Sequence, residues 1–266
     1  MKSQFHKIIN STLLASALVL GGITSALADG GAGRHAQVLP PHSHPYGKSY
    51  SEWSAKWWQW FMEHPMAGHP GVDGPGFDVR SGQKGNVWFL GSPAGEPIEL
   101  SVTIPTGKAL FIALLNAEAS NLEEFPFFGD TEEAQREAAE WFADHIVRVS
   151  CSVDGKPVKH IERYRVQSPQ FGFTAPTPWI FGATGGEGTA VGDGYYVMLA
   201  PLSKGSHTVH FEGLFRFSED AGDPFTADIP LDVTYHINVT PGHGHDRDDD
   251  HEDCDNDRDD DRRGRR

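Results

Sequence analysis

Alternation of apolar and polar residues is the strongest pattern in the second half of the chain. Within residues 208–218, Phe211 and Phe217 fall on one face of a strand and His210 on the other. Residues 109–115 are apolar without a break, which predicts a strand that is covered on both faces. Strands with one buried face are predicted by similar alternation at residues 100–104, 147–153, 195–199 and 233–239. These short strands, separated by Gly/Pro-rich turns, predict a mainly β protein with a β-sandwich of the Ig-like or jelly-roll type.

Two segments have a helical period instead. Ser49 and Glu52 have the spacing of a capping box, which predicts a helix that begins there and ends near Glu63. A second helix is predicted over residues 131–144, with Asp130 and Glu133 at its start. We expect these two accessory α-helices to pack on the sandwich through faces formed by Trp53, Trp57, Trp60 and Phe61 in the first, and Ala134, Ala138, Trp141, Phe142 and His145 in the second.

The first 28 residues have the features of a secretory signal peptide. Lys2 and Lys7 precede an apolar run at residues 13–23, and Ala26 and Ala28 fit the small-residue cleavage rule. The sequence therefore predicts an exported protein, periplasmic or extracellular. The mature chain is expected to comprise a flexible arm at residues 29–48, a β-sandwich domain at 49–241 and a disordered tail at 242–266 that is rich in Asp, His and Arg.

The charge of the chain excludes one class of partner. The net charge is −15, and it becomes −17 once the two lysines of the signal peptide are removed. Phosphate binding requires clustered Lys and Arg, so nucleic acid is not an expected partner. The mature chain has no apolar run long enough for a membrane span. Cys151 lies on the apolar side of a strand and is predicted to be a buried free thiol, with a bridge to Cys254 as the alternative.

The tail carries the first candidate site. Carboxylates suit calcium and imidazoles suit zinc, so the tail is a candidate for weak binding of a divalent cation without any required cofactor. The alternative is a solubilising charge run with no site. The candidate ligands are His243, His245, Asp248, Asp249, Asp250, His251, Asp253, Asp255 and Asp257.

A second candidate follows the apolar strand. Glu118 is placed to act as a general acid/base or a calcium ligand, with Asn116 and Asn121 as oxygen donors. The alternative is a polar loop with hydrogen-bonding duties. Trp58 points away from the main tryptophan face, so it is a candidate ring for stacking on a sugar, the alternative being a core position.

Other polar segments are given structural interpretations. His64 and His69 occur in Gly/Pro-rich sequence and are predicted to be isolated surface histidines rather than metal ligands. The glycine-rich residues 185–188 lack the Lys-Ser/Thr of a phosphate loop and are predicted to form a flexible loop.

Three motifs carry a resemblance to other proteins. They are the W-x-x-x-W-W-Q-W run at residues 53–60, Asp193-Gly194-Tyr195, and residues 202–209 (LSKGSHTV). The chain resembles, over about residues 49–240, a group of uncharacterised secreted bacterial proteins. The resemblance implies export and a common fold, and it implies no activity.

The sequence therefore favours a secreted or periplasmic, non-catalytic binding protein whose partner is a glycan, an envelope protein or a cation. The alternative is an extracellular polysaccharide hydrolase or lyase that uses Glu118 as acid/base. A concave pocket that holds Glu118 beside a second carboxylate, His or Tyr would favour the enzyme. A flat surface would favour binding.

Overall fold

The computed structural model describes residues 36–241 apart from residues 92, 94 and 96. The predicted signal peptide and the predicted tail lie outside the described residues. Within them, two five-stranded sheets and two α-helices form a β-sandwich with two accessory helices, which confirms the predicted fold class. No helix in this part of the chain has the length and apolar character needed to cross a membrane.

The elements are numbered here in chain order. The helices are α1 (Tyr50–Met62) and α2 (Glu132–Asp144). The strands are β1 (Val87–Leu90), β2 (Ile98–Pro105), β3 (Ala109–Ser120), β4 (Ile146–Val153), β5 (Lys156–Pro157), β6 (Arg165–Gln167), β7 (Phe171–Ala175), β8 (Gly186–Leu199), β9 (Gly205–Phe217) and β10 (Ala227–Thr240).

Each sheet is mixed. Sheet A has the order β1-β3-β8-β6, and β7 also pairs with β8; sheet B has the order β2-β10-β9-β4-β5. β1 runs parallel to β3, and β2 runs parallel to β10. The last strand therefore lies between β2 and β9, in the interior of sheet B.

Strand β3 is buried on both faces, as its unbroken apolar sequence predicts. The side chain of Leu115 faces β9 of sheet B, where it fills the space beside Gly213. The opposite face of sheet A is covered by α1. Its residue Trp58 donates a hydrogen bond to Tyr196 of the neighbouring strand β8. The tryptophan-rich helix thus forms the second cover of this strand.

Both predicted helices are present, and the start of one differs from the prediction. Ser49 and Glu52 form the predicted capping box of α1. At α2 the N-cap is Thr131, whose hydroxyl accepts from the backbone N–H of Ala134 at 3.2 Å, so the prediction that Asp130 and Glu133 cap this helix is wrong. Threonine satisfies an end N–H group directly in this position.

The buried face of α2 is also rotated relative to the prediction. Its fully buried side chains are Gln135, Ala139, Phe142 and Ala143. Gln135 donates to the carbonyl of Gly129 at 2.9 Å and to the hydroxyl of Thr189 at 3.0 Å, so a polar residue anchors the helix. A pattern based on apolar residues alone cannot detect such an anchor.

Three loop predictions differ from the structure. Backbone hydrogen bonds tie residues 37–39 of the predicted arm to residues 198–200 at the end of β8. The predicted glycine loop at residues 185–188 largely belongs to β8, where it pairs with β7. His64 and His69 are buried, not on the surface, because their rings bind backbone carbonyls of α1. Burial of neutral imidazole is acceptable when both nitrogens have partners.

Cys151 is a buried free thiol, as predicted, with 4% of its surface exposed. Burial raises the pKa of the thiol to about 12, so the reactive thiolate is scarce. We expect Cys151 to resist alkylation in the native protein and to react fully after unfolding. Peptide mapping after iodoacetamide treatment measures the alkylated fraction of Cys151 directly. Rapid native alkylation, or a peptide cross-linked to Cys254, would contradict the prediction.

Candidate functional site

A polar cluster occupies the face of sheet A that α1 covers. Asn116, Glu118 and Ser120 alternate along β3 and therefore share this face. Directly opposite Glu118 on β8 is Gly192. A Cβ atom there would lie 2.2 Å from Nε1 of Trp58, so the indole occupies the space of a missing side chain.

The hydroxyl of Tyr196 joins the helix to the strands. It accepts hydrogen bonds from Nε1 of Trp58 at 2.9 Å and from Nδ2 of Asn116 at 3.0 Å. Trp58 is 4% exposed, so the ring that was a candidate for sugar stacking lies in the core and presents no face to a ligand. Asn116 is half-buried and is committed to Tyr196 through its amide nitrogen.

Glu118 forms a carboxyl pair with Glu123. Glu118 is 3% exposed, and its carboxyl group is hydrogen-bonded to that of Glu123. Glu123 also accepts from the hydroxyl of Ser120, at 2.8 Å, through its Oε2 atom. The remaining oxygen of Glu118, Oε2, has no hydrogen-bond partner among the described residues.

The pair holds a proton at neutral pH. Burial raises the pKa of Glu118 to about 7. Burial, followed by the negative charge of Glu118, raises the pKa of Glu123 well above its ordinary range. Because both pKa values are raised and the two groups are hydrogen-bonded, the carboxyl groups of Glu118 and Glu123 share a proton.

A second buried carboxylate nearby has a very different environment. Asp193 on β8 is 4% exposed and forms an ion pair with Arg165, whose Nε lies 2.8 Å from Oδ1. Arg165 also binds Asp144 at the end of α2, at 2.7 Å. These contacts join β6, β8 and α2, and they supply the positive charge that a buried carboxylate needs.

The structure separates Asn121 from the carboxyl pair. Its Oδ1 accepts from the backbone N–H of Thr189 at 2.8 Å, and its own N–H donates to the carbonyl of Thr189 at 3.2 Å. Asn121 therefore extends the pairing of β3 with β8 by one residue. The neighbour of Glu118 is Glu123 instead of Asn121, because the turn after Ser120 brings Glu123 back to it. The sequence analysis did not single out Glu123.

The candidate ligands of the tail, from His243 to Asp257, lie outside the described residues. Within the described part of the chain, no group of three or more His, Cys, Asp or Glu side chains has an arrangement suited to a metal ion.

A second candidate surface lies on the outer face of sheet B. An open depression of about 340 Å³ crosses strands β2, β10 and β9. Most of its lining is polar, and it consists of Ser101, Thr103, Ser206, His207, Thr208, His236 and Asn238 together with Val102 and Ile237. The three strands are hydrogen-bonded in register here, with Ser101 opposite His236 and His236 opposite Thr208, so the side chains stand on a rigid platform.

Comparison with known proteins adds no family. No protein-family model matches the chain, and no curated protein matches it. Among solved structures, the solution structure of amebosin is 12% identical over 55% of this chain and 100% of that chain, with a TM-score of 0.16. A likeness at that TM-score carries no argument about fold or function.

Proposed function

We propose that this chain is an exported, non-catalytic binding protein that holds a glycan on the outer face of sheet B. The observation that carries the proposal is the open depression over β2, β10 and β9. Its volume of about 340 Å³ lies within the range of ligand sites, roughly 300–1,000 Å³.

The side chains of the depression have the chemistry that a sugar requires. Hydroxyls of Ser and Thr both donate and accept hydrogen bonds, and the amide of Asn238 supplies two donors and an acceptor. Five of the lining residues, Ser101, Thr103, Ser206, His236 and Asn238, are exposed. A partner that presents many hydroxyl groups at close spacing matches this surface, whereas an apolar peptide does not.

The geometry of the carboxyl pair also favours binding over hydrolysis. Glycosidases separate their two carboxyl groups by about 5 Å or more, to fit the bond that is cleaved. Glu118 and Glu123 instead share a hydrogen bond beneath α1, which leaves no room for a glycosidic oxygen between them. A polysaccharide hydrolase or lyase that uses Glu118 remains the alternative function, supported by the presence of a second carboxyl group in contact.

A glycan array probed with the full mature chain tests the proposal. We expect Asn238→Ala and Ser206→Ala each to weaken binding of the selected glycan by about tenfold, because each removes hydrogen bonds worth about 1–1.5 kcal/mol. Ser150→Ala is the matched control, since Ser150 is exposed on β4 of the same sheet and does not line the depression.

The same assay separates the two functions when products are monitored. Turnover that disappears in Glu118→Gln while glycan binding persists would establish the enzyme instead. Binding of a protein partner but of no glycan, or equal glycan binding by Asn238→Ala and the parent chain, would overturn the proposal.

A further inference from the structure

The buried carboxyl group of Glu118 has no cationic partner among the described residues. None of the ion pairs formed by the described residues includes Glu118 or Glu123. Asp193, which is buried to the same degree, is paired with Arg165. One sheet thus contains a buried carboxylate with its own cation and another without one.

The unpartnered Oε2 atom of Glu118 indicates which kind of group could bind there. Glu118 is 3% exposed, and its Oε2 atom is shielded from solvent and accepts no hydrogen bond. A buried carboxyl oxygen without a partner destabilises the fold, and the cost is larger still when the group is ionised. The group that satisfies a carboxylate oxygen in this position is a donor or a positive charge from outside the described residues.

We propose that Glu118 and Glu123 bind a hard divalent cation of the calcium type. Binding displaces the proton that the two carboxyl groups share, so two carboxylates then neutralise the two charges of the ion. Ser120 supplies a hydroxyl oxygen that already lies 2.8 Å from Glu123. Carboxylate and hydroxyl oxygens are ligands of hard cations, and water molecules complete the coordination.

The position of Glu123 provides a route to this site. Glu123 is half-buried, and Glu124, the next residue, is exposed. The ion enters at the turn after β3 and reaches Glu118 beneath it. With only two charged ligands, the dissociation constant should be that of extracellular calcium modules, about 0.1–1 mM.

Thermal unfolding of the full mature chain tests this site. In about 10 mM calcium chloride, on the order of a hundred times the lowest expected dissociation constant, the melting temperature should rise by several degrees over that in sodium chloride of equal ionic strength. Glu118→Gln and Glu123→Gln should each abolish this rise. Without calcium, Glu118→Gln should melt no lower than the parent chain, because it removes an uncompensated charge while keeping the side-chain shape.

Glu132→Gln is the matched control, since Glu132 is exposed and pairs with Arg136 on α2. It should keep the full calcium shift. All these chains have the same tail, so any effect of tail-bound cations on the melting temperature cancels when the variants are compared with the parent chain. The proposal would be overturned if the parent chain showed no calcium shift, or if Glu118→Gln and Glu123→Gln kept a shift as large as that of the parent chain. Both results leave the glycan proposal intact, because its variants lie on sheet B.

Discussion

Trp57→Ala should destabilise the protein by about 3–5 kcal/mol, the range for removing a large aromatic from a core. Trp57 is 3% exposed and stacks on Phe61 with ring centroids 4.8 Å apart. Its Nε1 atom donates to the carbonyl of Leu90 at 2.8 Å, so the residue also fastens the end of β1 to α1. At this chain length the melting temperature should fall by on the order of 10 °C.

Two further variants separate packing from hydrogen bonding. Trp57→Phe keeps an aromatic ring and leaves only the Leu90 carbonyl without its donor, so it should cost about 1–3 kcal/mol. Trp53→Ala should have a smaller effect than Trp57→Ala, because Trp53 is only half-buried at the start of the helix. Unchanged stability in Trp57→Ala together with lost glycan binding would mean that α1 is a recognition surface.

Acid should remove a contribution to stability that comes from His69. This ring is 0% exposed. Its Nε2 donates to the carbonyl of Phe61 at 2.9 Å, and its Nδ1 accepts from the N–H of Gly71 at 3.0 Å. The imidazole is thus neutral and fully satisfied, and a second proton would face the N–H of Gly71 with no acceptor.

Burial lowers the pKa of His69 from 6.5 to about 4. The hydrogen bond to the Phe61 carbonyl opposes this shift, His64 lowers the pKa further, and Asp73 has the smallest effect, in the opposite direction. Because the folded pKa lies below the unfolded value, the contribution is fully present above pH 6.5 and is lost as the pH falls through the folded pKa of about 4. The loss amounts to about 3 kcal/mol at pH 4 and below.

Urea unfolding at several pH values measures this loss. The difference in unfolding free energy between the parent chain and His69→Gln should shrink between about pH 6.5 and pH 4. The carboxyl groups of the two chains titrate alike and cancel in the difference. His160→Gln is the control, because His160 is exposed and forms only a surface contact with Glu162. Parallel pH profiles for the parent chain and His69→Gln would contradict the prediction.

The strands and helices could be predicted because their signals are local. Ser49 and Glu52 lie three residues apart. Asp-Gly is a frequent two-residue hairpin turn, and Asp154 and Gly155 adopt its positive φ values, 49° and 71°. Strands β9 and β10 could be predicted from the alternation of apolar and polar residues within each strand alone. These features depend on neighbouring residues, so the sequence displays them directly.

The candidate site could be predicted only in part, because its members meet through the fold. Glu118 was detectable as a polar residue after an apolar strand, but its burial depends on α1 lying over Gly192. Glu123 joins it through a turn whose geometry the sequence does not display. The prediction that His64 and His69 lie on the surface was wrong because their hydrogen-bond partners are backbone carbonyls of α1. The pattern of side chains along the sequence does not reveal such partners.

Because β10 lies between β2 and β9, sheet B cannot form completely until the last strand of the domain is available. Ile98 of β2 pairs with Val233 of β10, so β2 has no neighbour in its sheet until the end of the domain has been synthesised. Contacts between residues so far apart in sequence make folding slow. A chain that emerges from its amino terminus cannot close its sandwich early. For the exported protein proposed above, such a delay would keep the chain unfolded during its passage through a translocation pore.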